Sequence, residues 1–256
     1  MTLLAIKNLT KRFGGLTAVE SLTIDVESGG VHGLIGPNGS GKSTVLNLIS
    51  GIYRPTEGSI ALSGAEITGL KPNQRARVGV GRTFQNIRLF PTLTVLQNVM
   101  MGRVTQQHGS LMGIVLNSPL VRREVKETTD RAREALRFMG IETFADEFHR
   151  NLPYGHQRLV EIARVLASGA KLMLLDEPAA GLNSSEKKNL GHLLTRMCDV
   201  FGSTVLLVEH DMRLLMSVSR TVSAVNFGKL IVTGSTANVQ SDPDVIKAYL
   251  GAGSSK

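Results

Sequence analysis

The sequence contains no tryptophan and only one cysteine, Cys198, in its 256 residues. A single cysteine excludes an internal disulfide and is typical of a reducing compartment. The longest apolar runs, at 172–175 and 205–208, fall well short of the roughly 18 residues that a membrane-spanning helix needs. The first residues lack the basic start and the small-residue cleavage site of a signal peptide. We therefore expect a cytoplasmic protein.

Aromatic residues are also scarce, with 3 tyrosines and 8 phenylalanines. They are not interleaved with basic residues, as they are in proteins that stack single-stranded nucleic acid. Basic residues outnumber acidic ones by 29 to 21, for a formal net charge of +8. Such a charge suits a nucleic acid, an acidic membrane surface, an acidic partner or a plain solvated basic surface. Charge alone therefore selects no function.

The apolar patterns predict an α/β protein that forms a single large domain over residues 1–256. Strands are expected at 3–9, 18–26, 31–35, 58–62, 171–176, 203–209, 221–227 and 229–234. Between about 86 and 168 helical patterns dominate, which predicts a helical subdomain carried by the α/β core. Over residues 235–256 we expect a last short helix, bracketed by Asp242, Pro243 and Gly251, and a disordered tail, GAGSSK.

One helix of the predicted subdomain has clear start and stop signals. Ser118 is a typical N-cap, Pro119 fits a first helical turn, and Gly140 fits a C-terminal stop. Its predicted apolar stripe consists of Val121, Val125, Ala132, Leu136 and Met139.

The segment from Gly36 to Thr44, GPNGSGKST, contains a phosphate-binding pattern, G-x-x-x-x-G-K-[ST]. It follows a predicted strand and opens a predicted helix, which is the arrangement that lets backbone N–H groups surround phosphate oxygens. Lys42 is placed to reach the β- and γ-phosphates and Ser43 to ligate Mg²⁺. The alternative is a glycine-rich turn with an exposed lysine, and the flanking strand and helix favour the phosphate loop.

Two adjacent carboxylates, Asp176 and Glu177, follow the hydrophobic strand at 172–175. Ligands in such sheets bind beyond the carboxyl ends of the strands, so Asp176 is expected to hold magnesium and Glu177 to activate water. An ordinary solvated turn is the alternative. His210 follows the predicted strand at 203–209, and Gln85 follows a further predicted strand, VGVGRTF at 78–84. Each of the two residues is unremarkable by itself.

Together these motifs resemble the ATP-binding-cassette family over nearly the whole chain. The segment 36–44 is similar to its Walker A motif, Gln85 to its Q-loop, 172–178 to its Walker B motif with the catalytic glutamate, and His210 to its switch histidine. The resemblance implies a P-loop fold, a RecA-like mixed sheet with an antiparallel β subdomain and a helical subdomain. It implies ATP and Mg²⁺ as ligands. It also implies Phe13 as the residue that stacks on adenine, although a simple core side chain is the alternative for Phe13.

The implied site residues fall into three groups. Catalytic roles are expected for Glu177, His210 and Gln85. Nucleotide binding is expected for Phe13, Gly36, Pro37, Asn38, Gly39, Ser40, Gly41, Lys42, Ser43, Thr44 and Gly155. Metal binding is expected for Ser43, Gln85 and Asp176.

The family's signature motif is altered here. Its usual form, LSGGQ, becomes Leu152–Pro153–Tyr154–Gly155–His156, so the serine hydroxyl that binds the opposite subunit's γ-phosphate is missing. The backbone contact at Gly155 remains available. Asn183 likewise stands where many members have aspartate in the D-loop.

Within the family, the segments 82–99, 103–130, 176–183, 209–220 and 243–251 are similar to the ATPase subunits of branched-chain amino-acid importers. That likeness implies a second ATPase subunit, identical or different, two membrane permease subunits and, indirectly, a periplasmic or extracellular substrate-binding protein. The chain is then expected on the inner face of the membrane, held there by the permeases, with no nucleic-acid partner. Ile87, Leu89 and Phe90 suit a docking surface or, equally, the core.

Other functions remain open at this point. Related subunits serve amide or urea import and lipopolysaccharide export. A soluble cassette ATPase acting on nucleic acid is compatible with the positive charge, and an assembly module that binds ATP without turnover is compatible with the altered signature.

Overall fold

The computed structural model describes residues 1–106 and 118–251, within which the strands form two sheets. The strands are β1 (Thr2–Phe13), β2 (Leu16–Glu27), β3 (Val31–Ile35), β4 (Glu57–Leu62), β5 (Ala65–Glu66), β6 (Val80–Arg82), β7 (Leu172–Asp176), β8 (Thr204–Val208), β9 (Thr221–Asn226) and β10 (Lys229–Gly234). The α-helices in this part of the chain are α1 (Lys42–Ile49), α2 (Pro72–Val78), α3 (Val95–Met100), α4 (Pro119–Phe138), α5 (Tyr154–Ala167), α6 (Ser184–Phe201), α7 (Met212–Val218), α8 (Thr236–Ser241) and α9 (Pro243–Gly251). Short 3-10 helices cover Met101–Gln106, Glu142–Phe144 and His149–Asn151.

The larger sheet has six strands in the order β10-β9-β3-β8-β7-β6. Strands β9 to β6 pair in parallel, and β10 is antiparallel to β9. Every residue of β3, β7 and β8 is buried, as expected of parallel strands covered on both faces. Because these strands are parallel, their carboxyl ends at Ile35, Asp176 and Val208 meet at one edge of the sheet.

The smaller sheet is antiparallel, in the order β2-β1-β4-β5. Strands β1 and β2 are longer than the predicted 3–9 and 18–26, because a tight turn at Gly14 and Gly15 lets them pair as far as Phe13 and Leu16. Gly14 has a φ of 56°, a left-handed conformation that glycine adopts without strain. The turn therefore places Phe13 at the tip of a hairpin.

Between β6 and β7 the named elements of the described residues are all helices, in agreement with the pattern at 86–168. Residues of α3, α4 and α5 share one buried apolar cluster with one face of the six-stranded sheet. The helices and the sheet therefore have a continuous core in this conformation.

Helix α4 begins as predicted, since the Ser118 hydroxyl accepts a hydrogen bond from the Val121 amide at 3.4 Å. The predicted stripe is wrong at Val125, which is 46% exposed. Thr128 is buried instead, and the Thr129 hydroxyl beside it lies 3.9 Å from the Met100 sulfur. The buried residues of the helix begin at Thr128, where it packs on α3 and α5, so Val125, about one turn earlier, is left exposed.

At the C-terminus, α9 (Pro243–Gly251) confirms the predicted last helix. The Asp242 carboxylate caps it by accepting hydrogen bonds from the Asp244 and Val245 amides at 2.9 and 3.1 Å. The predicted disordered tail begins at Gly251, which the structure places at the end of α9, and its other residues, 252–256, lie outside the described residues. Over 1–106 and 118–251, no helix is both long and apolar enough to cross a membrane.

Candidate functional site

The glycine-rich loop joins the buried strand β3 to the start of α1, at the sheet edge where β7 and β8 also end. Two of its glycines cannot be replaced without moving backbone. A Cβ at Gly36 would lie 2.1 Å from the Val225 carbonyl oxygen, and one at Gly41, whose φ is 100°, would lie 2.6 Å from the Ala18 carbonyl oxygen. The loop is thus pressed against β9 and β2, and only glycine allows this approach.

Lys42 folds back over this loop. Its ammonium donates hydrogen bonds to the carbonyl oxygens of Gly36 and Pro37 at 2.7 and 2.9 Å. Burial lowers the pKa of Lys42, and the nearby charges of Glu177 and Asp176 oppose that shift. The buried Ser40 hydroxyl has no hydrogen-bond partner in the described structure. A buried cation, an orphan hydroxyl and the N–H groups of a helix N-terminus fit a bound phosphate chain.

Asp176 ends β7 and is almost fully buried. The Arg82 guanidinium lies 3.2 Å from its carboxylate and also donates to Asn47 and Ser50 at the end of α1. Burial raises the pKa of Asp176, and the charge and hydrogen bond of Arg82 act against that rise. Arg82 thus ties the Asp176 strand to the helix that begins with Lys42. A buried carboxylate at the end of a strand suits Mg²⁺, which prefers oxygen ligands and keeps several of its waters.

Glu177 is the point at which three segments converge. Its two carboxylate oxygens lie 2.8 Å from His210 Nε2 and 3.0 Å from Gln85 Nε2. Its amide donates to the Val208 carbonyl at 2.8 Å, and its φ of 50° is uncommon for a residue other than glycine. The structure therefore brings together Glu177, His210 and Gln85, which the sequence places up to 125 residues apart.

Two further carboxylates hold the neighbouring loops and were not singled out from the sequence. Glu209 is buried, and its two oxygens accept from the amides of Ala179 and His210 at 2.6 and 3.2 Å. Its pKa is raised by burial and lowered by these backbone hydrogen bonds. Asp211 pairs with Lys187 at 2.9 Å. Glu209 and Asp211 thus hold the segments around Glu177 and His210 together. The sequence feature that could have pointed to Glu209 is its position directly before His210.

A cleft of about 420 Å³ lies beside the loop. Its lining includes most of the predicted nucleotide-binding residues and two of the predicted catalytic ones, namely Phe13, Asn38, Gly39, Ser40, Gly41, Lys42, Ser43, Thr44, Glu177 and His210. Gly36 and Pro37, at the start of the loop, are not among the residues that line the cleft, and their carbonyls accept from Lys42. The sequence missed Phe227, an 81% exposed side chain on the same cleft.

Phe13 is 40% exposed, so it is not the simple core side chain that was the alternative. Its ring meets Tyr53 edge-on at 5.1 Å between centroids, and the Lys11 ammonium lies 4.9 Å from the ring centre. These contacts hold the ring in place while part of it faces the cleft.

Gly155 is not part of this cleft. It lies in the first turn of α5, where an added Cβ would come within 2.7 Å of Glu186 Oε1. Pro153 is the N-cap of α5 and supplies no capping hydrogen bond. Asn183 has an ordinary local role, since its side chain accepts from the Ser185 and Glu186 amides at 3.0 Å and caps α6. An asparagine caps a helix as well as an aspartate does.

Comparisons with known proteins agree with this geometry. Residues 19–180 match the family described as ABC transporter, and residues 229–254 match the one described as branched-chain amino acid ATP-binding cassette transporter. The sequence is 42% identical over 249 residues, which are 97% of this chain and 98% of the relative, to the high-affinity branched-chain amino acid transport ATP-binding protein LivG of Salmonella typhimurium.

Two solved structures share the fold. One is an ATP-binding cassette of an ABC transporter in its ADP conformation, with a TM-score of 0.85 and 29% identity, covering 98% of this chain and 99% of the other. The other is a dimeric post-hydrolysis cassette bound to ADP and Pi, with a TM-score of 0.76 and 27% identity, covering 91% and 99%.

Proposed function

This chain belongs to the ATP-binding-cassette transporter family, and we propose that it powers the import of branched-chain amino acids. Its activity is ATP hydrolysis coupled to transport, as in the family. The convergence of Gln85 and His210 on Glu177 is the observation that supports catalysis. The cargo is inferred from the 42% identity to LivG and from the match at residues 229–254.

Lys42 and the loop amides bind the phosphates of ATP in this proposal. In the structure the Lys42 ammonium is engaged by loop carbonyls, so it is held ready at the N-terminus of α1. Phe13, exposed at the hairpin tip, stacks on the adenine. Aromatic stacking of this kind contributes about 0.5–1.5 kcal/mol beyond surface burial.

Ser43, Asp176 and Gln85 are the proposed ligands of Mg²⁺. When bound, the ion neutralises charge that develops on the phosphate oxygens. Arg82 holds Asp176 in position through its 3.2 Å contact. Gln85 donates its amide N–H to Glu177, which leaves its amide oxygen for the metal or for the attacking water.

Glu177 acts as the general base. It takes a proton from the attacking water while the water oxygen bonds to the γ-phosphorus and the bond from that phosphorus to the bridging oxygen breaks. His210 Nε2 lies 2.8 Å from the carboxylate and keeps it directed into the cleft. Glu209 fixes the backbone of His210 in turn.

ATPase subunits of this family work as dimers with membrane permease components. We propose that Gly155 faces the γ-phosphate of the opposite subunit, because it lies outside its own cleft at the N-terminus of α5. Two permease subunits would hold the chain at the inner face of the membrane and link it to a substrate-binding protein. Phe90 is the best docking residue of the predicted three: it is exposed, Ile87 is half-buried and Leu89 packs against the core.

The test is transport by the purified complex with its permeases and binding protein in lipid vesicles. Leucine, isoleucine or valine should be taken up when ATP is supplied on the side of this chain, and each should raise its ATP hydrolysis. Uptake of urea or a short amide instead would support the related importers. Tight salt-sensitive binding to duplex DNA without any permease would support the nucleic-acid alternative.

A further inference from the structure

A fully buried ion pair lies on one face of α5. Arg158 and Glu161 are three residues apart, both side chains have no exposed surface, and Nη1 lies 2.8 Å from Oε2. Taking two charges out of water is costly, and hydrogen bonds to other groups offset part of that cost. Arg158 Nε has no partner in the described structure, so the groups that the other atoms of the pair do bind show what it does.

The backbone partners of the pair belong to Phe84 and Gln85, and Glu161 Oε1 also lies 3.8 Å from Arg164 Nη2. Arg158 donates to the Phe84 carbonyl at 2.9 Å and to the Gln85 carbonyl at 2.8 Å. Glu161 Oε1 accepts from the Phe84 amide at 3.3 Å. The preceding residue, Thr83, still donates its amide to Leu174 of β7. The chain thus leaves the sheet after Thr83 and is bound at once by two side chains of α5.

Arg158 and Gln85 connect the start of α5 to Glu177. At one end, Arg158 Nη2 lies 3.2 Å from the Tyr154 hydroxyl, and the Tyr154 ring covers Gly181, where an added Cβ would come within 2.9 Å of the ring. At the other end, Gln85 Nε2 donates to Glu177 Oε2 at 3.0 Å. A continuous set of contacts therefore runs from the altered signature to the proposed base.

We propose that Arg158 and Glu161 are positioning residues for Gln85: by binding the Phe84–Gln85 backbone they hold the Gln85 amide at the distance from which it reaches Glu177. The proposal rests on the proposed function, since Gln85 and Glu177 act there on metal and water. A pair that only stabilised α5 would not need the two carbonyls and the amide of another segment.

The main test replaces both charges, with Arg158→Met and Glu161→Leu in one chain. Apolar replacement of a buried pair often leaves stability intact, while the Phe84 and Gln85 backbone groups lose their partners. Amide hydrogen exchange in the nucleotide-free chain should become at least about tenfold faster at Phe84 and stay unchanged in β7. This readout depends on the contacts of Phe84 and not on whether Glu177 is the base, so the two proposals fail separately.

Turnover is measured next, in the assembled complex. We expect the double variant to lower kcat by about tenfold or more and to change KM for ATP by less than about threefold, because Gln85 serves the chemical step and not nucleotide capture. The matched control is Arg131→Met with Glu134→Leu, an exposed pair with the same spacing on α4, which should change neither constant.

A double-mutant cycle with Gln85→Ala separates positioning from general stabilisation. If the pair acts through Gln85, adding Gln85→Ala to the double variant lowers kcat no further. The proposal would be overturned if the kcat losses of the double variant and of Gln85→Ala multiplied in full when the changes are combined. An unchanged rate of amide exchange at Phe84 would also overturn it. Should the double variant fail to fold, Arg158→Lys keeps the charge but cannot bind two carbonyls in a fork. It should then show the same fall in kcat at constant KM, and a wild-type kcat would overturn the proposal.

Discussion

At the scale of single residues, Lys42 is the best defined of the proposed contacts to the nucleotide. Its ammonium is buried and already held by the Gly36 and Pro37 carbonyls, so little ordering is needed when a phosphate arrives. A hydrogen bond between charged groups contributes about 1.5–3 kcal/mol. The same residue links the loop to Asp176 and Glu177, whose charges raise its pKa against the effect of burial.

Lys42→Ala is therefore expected to weaken ATP binding by about 10- to 100-fold, which is the affinity equivalent of that contact. It should also abolish turnover in the assembled complex. Binding is measured by titration with a fluorescent ATP analogue, and Lys7→Ala, on an exposed position of β1, is the control. Wild-type hydrolysis by Lys42→Ala would show that the glycine-rich loop is not the phosphate site.

At the scale of elements, the sequence predicted those parts of the site in which a buried strand runs directly into a motif. The loop after β3 and the carboxylates after β7 follow continuous apolar runs, and parallel strands bring their ends to one edge. The contacts of Arg158 with Phe84 and Gln85 could not be predicted in this way, because they join positions 74 and 73 residues apart. Phe227 was missed for a similar reason, since its place on the cleft depends on how the β9–β10 turn packs on β2.

The start of α5 yields a prediction about the altered signature. Pro153 caps the helix without a side-chain hydrogen bond, whereas a serine there would cap an amide of the first turn, a contact of about 1 kcal/mol. Pro153→Ser should therefore raise the Tm of the free chain by about 2–4 °C and raise single-turnover hydrolysis in the complex by less than about tenfold. Pro153→Ala is the control and should give neither gain. A large loss of hydrolysis in Pro153→Ser would show that the proline is required.

A buried histidine in the six-stranded sheet gives a pH dependence. His32 Nε2 lies 2.9 Å from the Ser223 hydroxyl, which joins β3 to β9, and burial lowers the pKa of His32 to about 4 from 6.5. Between about pH 4 and pH 6.5, His32 is protonated in the unfolded chain and neutral in the folded chain. The free energy of unfolding therefore falls as the pH falls through this range. The slope from this group is about 1.4 kcal/mol per pH unit.

The comparison is urea unfolding of the wild type and His32→Asn at several pH values from 7 to 4. All other titrating groups are shared, so the wild type should lose stability faster below about pH 6.5. Equal slopes for the two proteins would contradict a neutral His32 in the folded chain.

At the scale of the whole molecule, the proposed catalytic residues come from segments that only the fold brings together. Gln85 follows β6, Glu177 follows β7 and His210 follows β8, and the order of these strands in the sheet makes them neighbours. Gly155 lies outside the cleft, at the start of α5. One chain thus carries a site for ATP and, in the proposed dimer, a separate contact for the site of its partner.

Glu177→Gln in the assembled complex tests this assignment most directly. Glutamine keeps the size of Glu177 and one of its acceptor oxygens but cannot take a proton from water, and general-base catalysis is worth about 100- to 10,000-fold. ATP should still bind and hydrolysis should fall by at least about 100-fold, and size-exclusion chromatography of the free chain with ATP should show more of the paired form. Glu66→Gln, on the exposed strand β5, should behave as the wild type. Normal turnover by Glu177→Gln, with no added pairing, would contradict the assignment of Glu177 as the base.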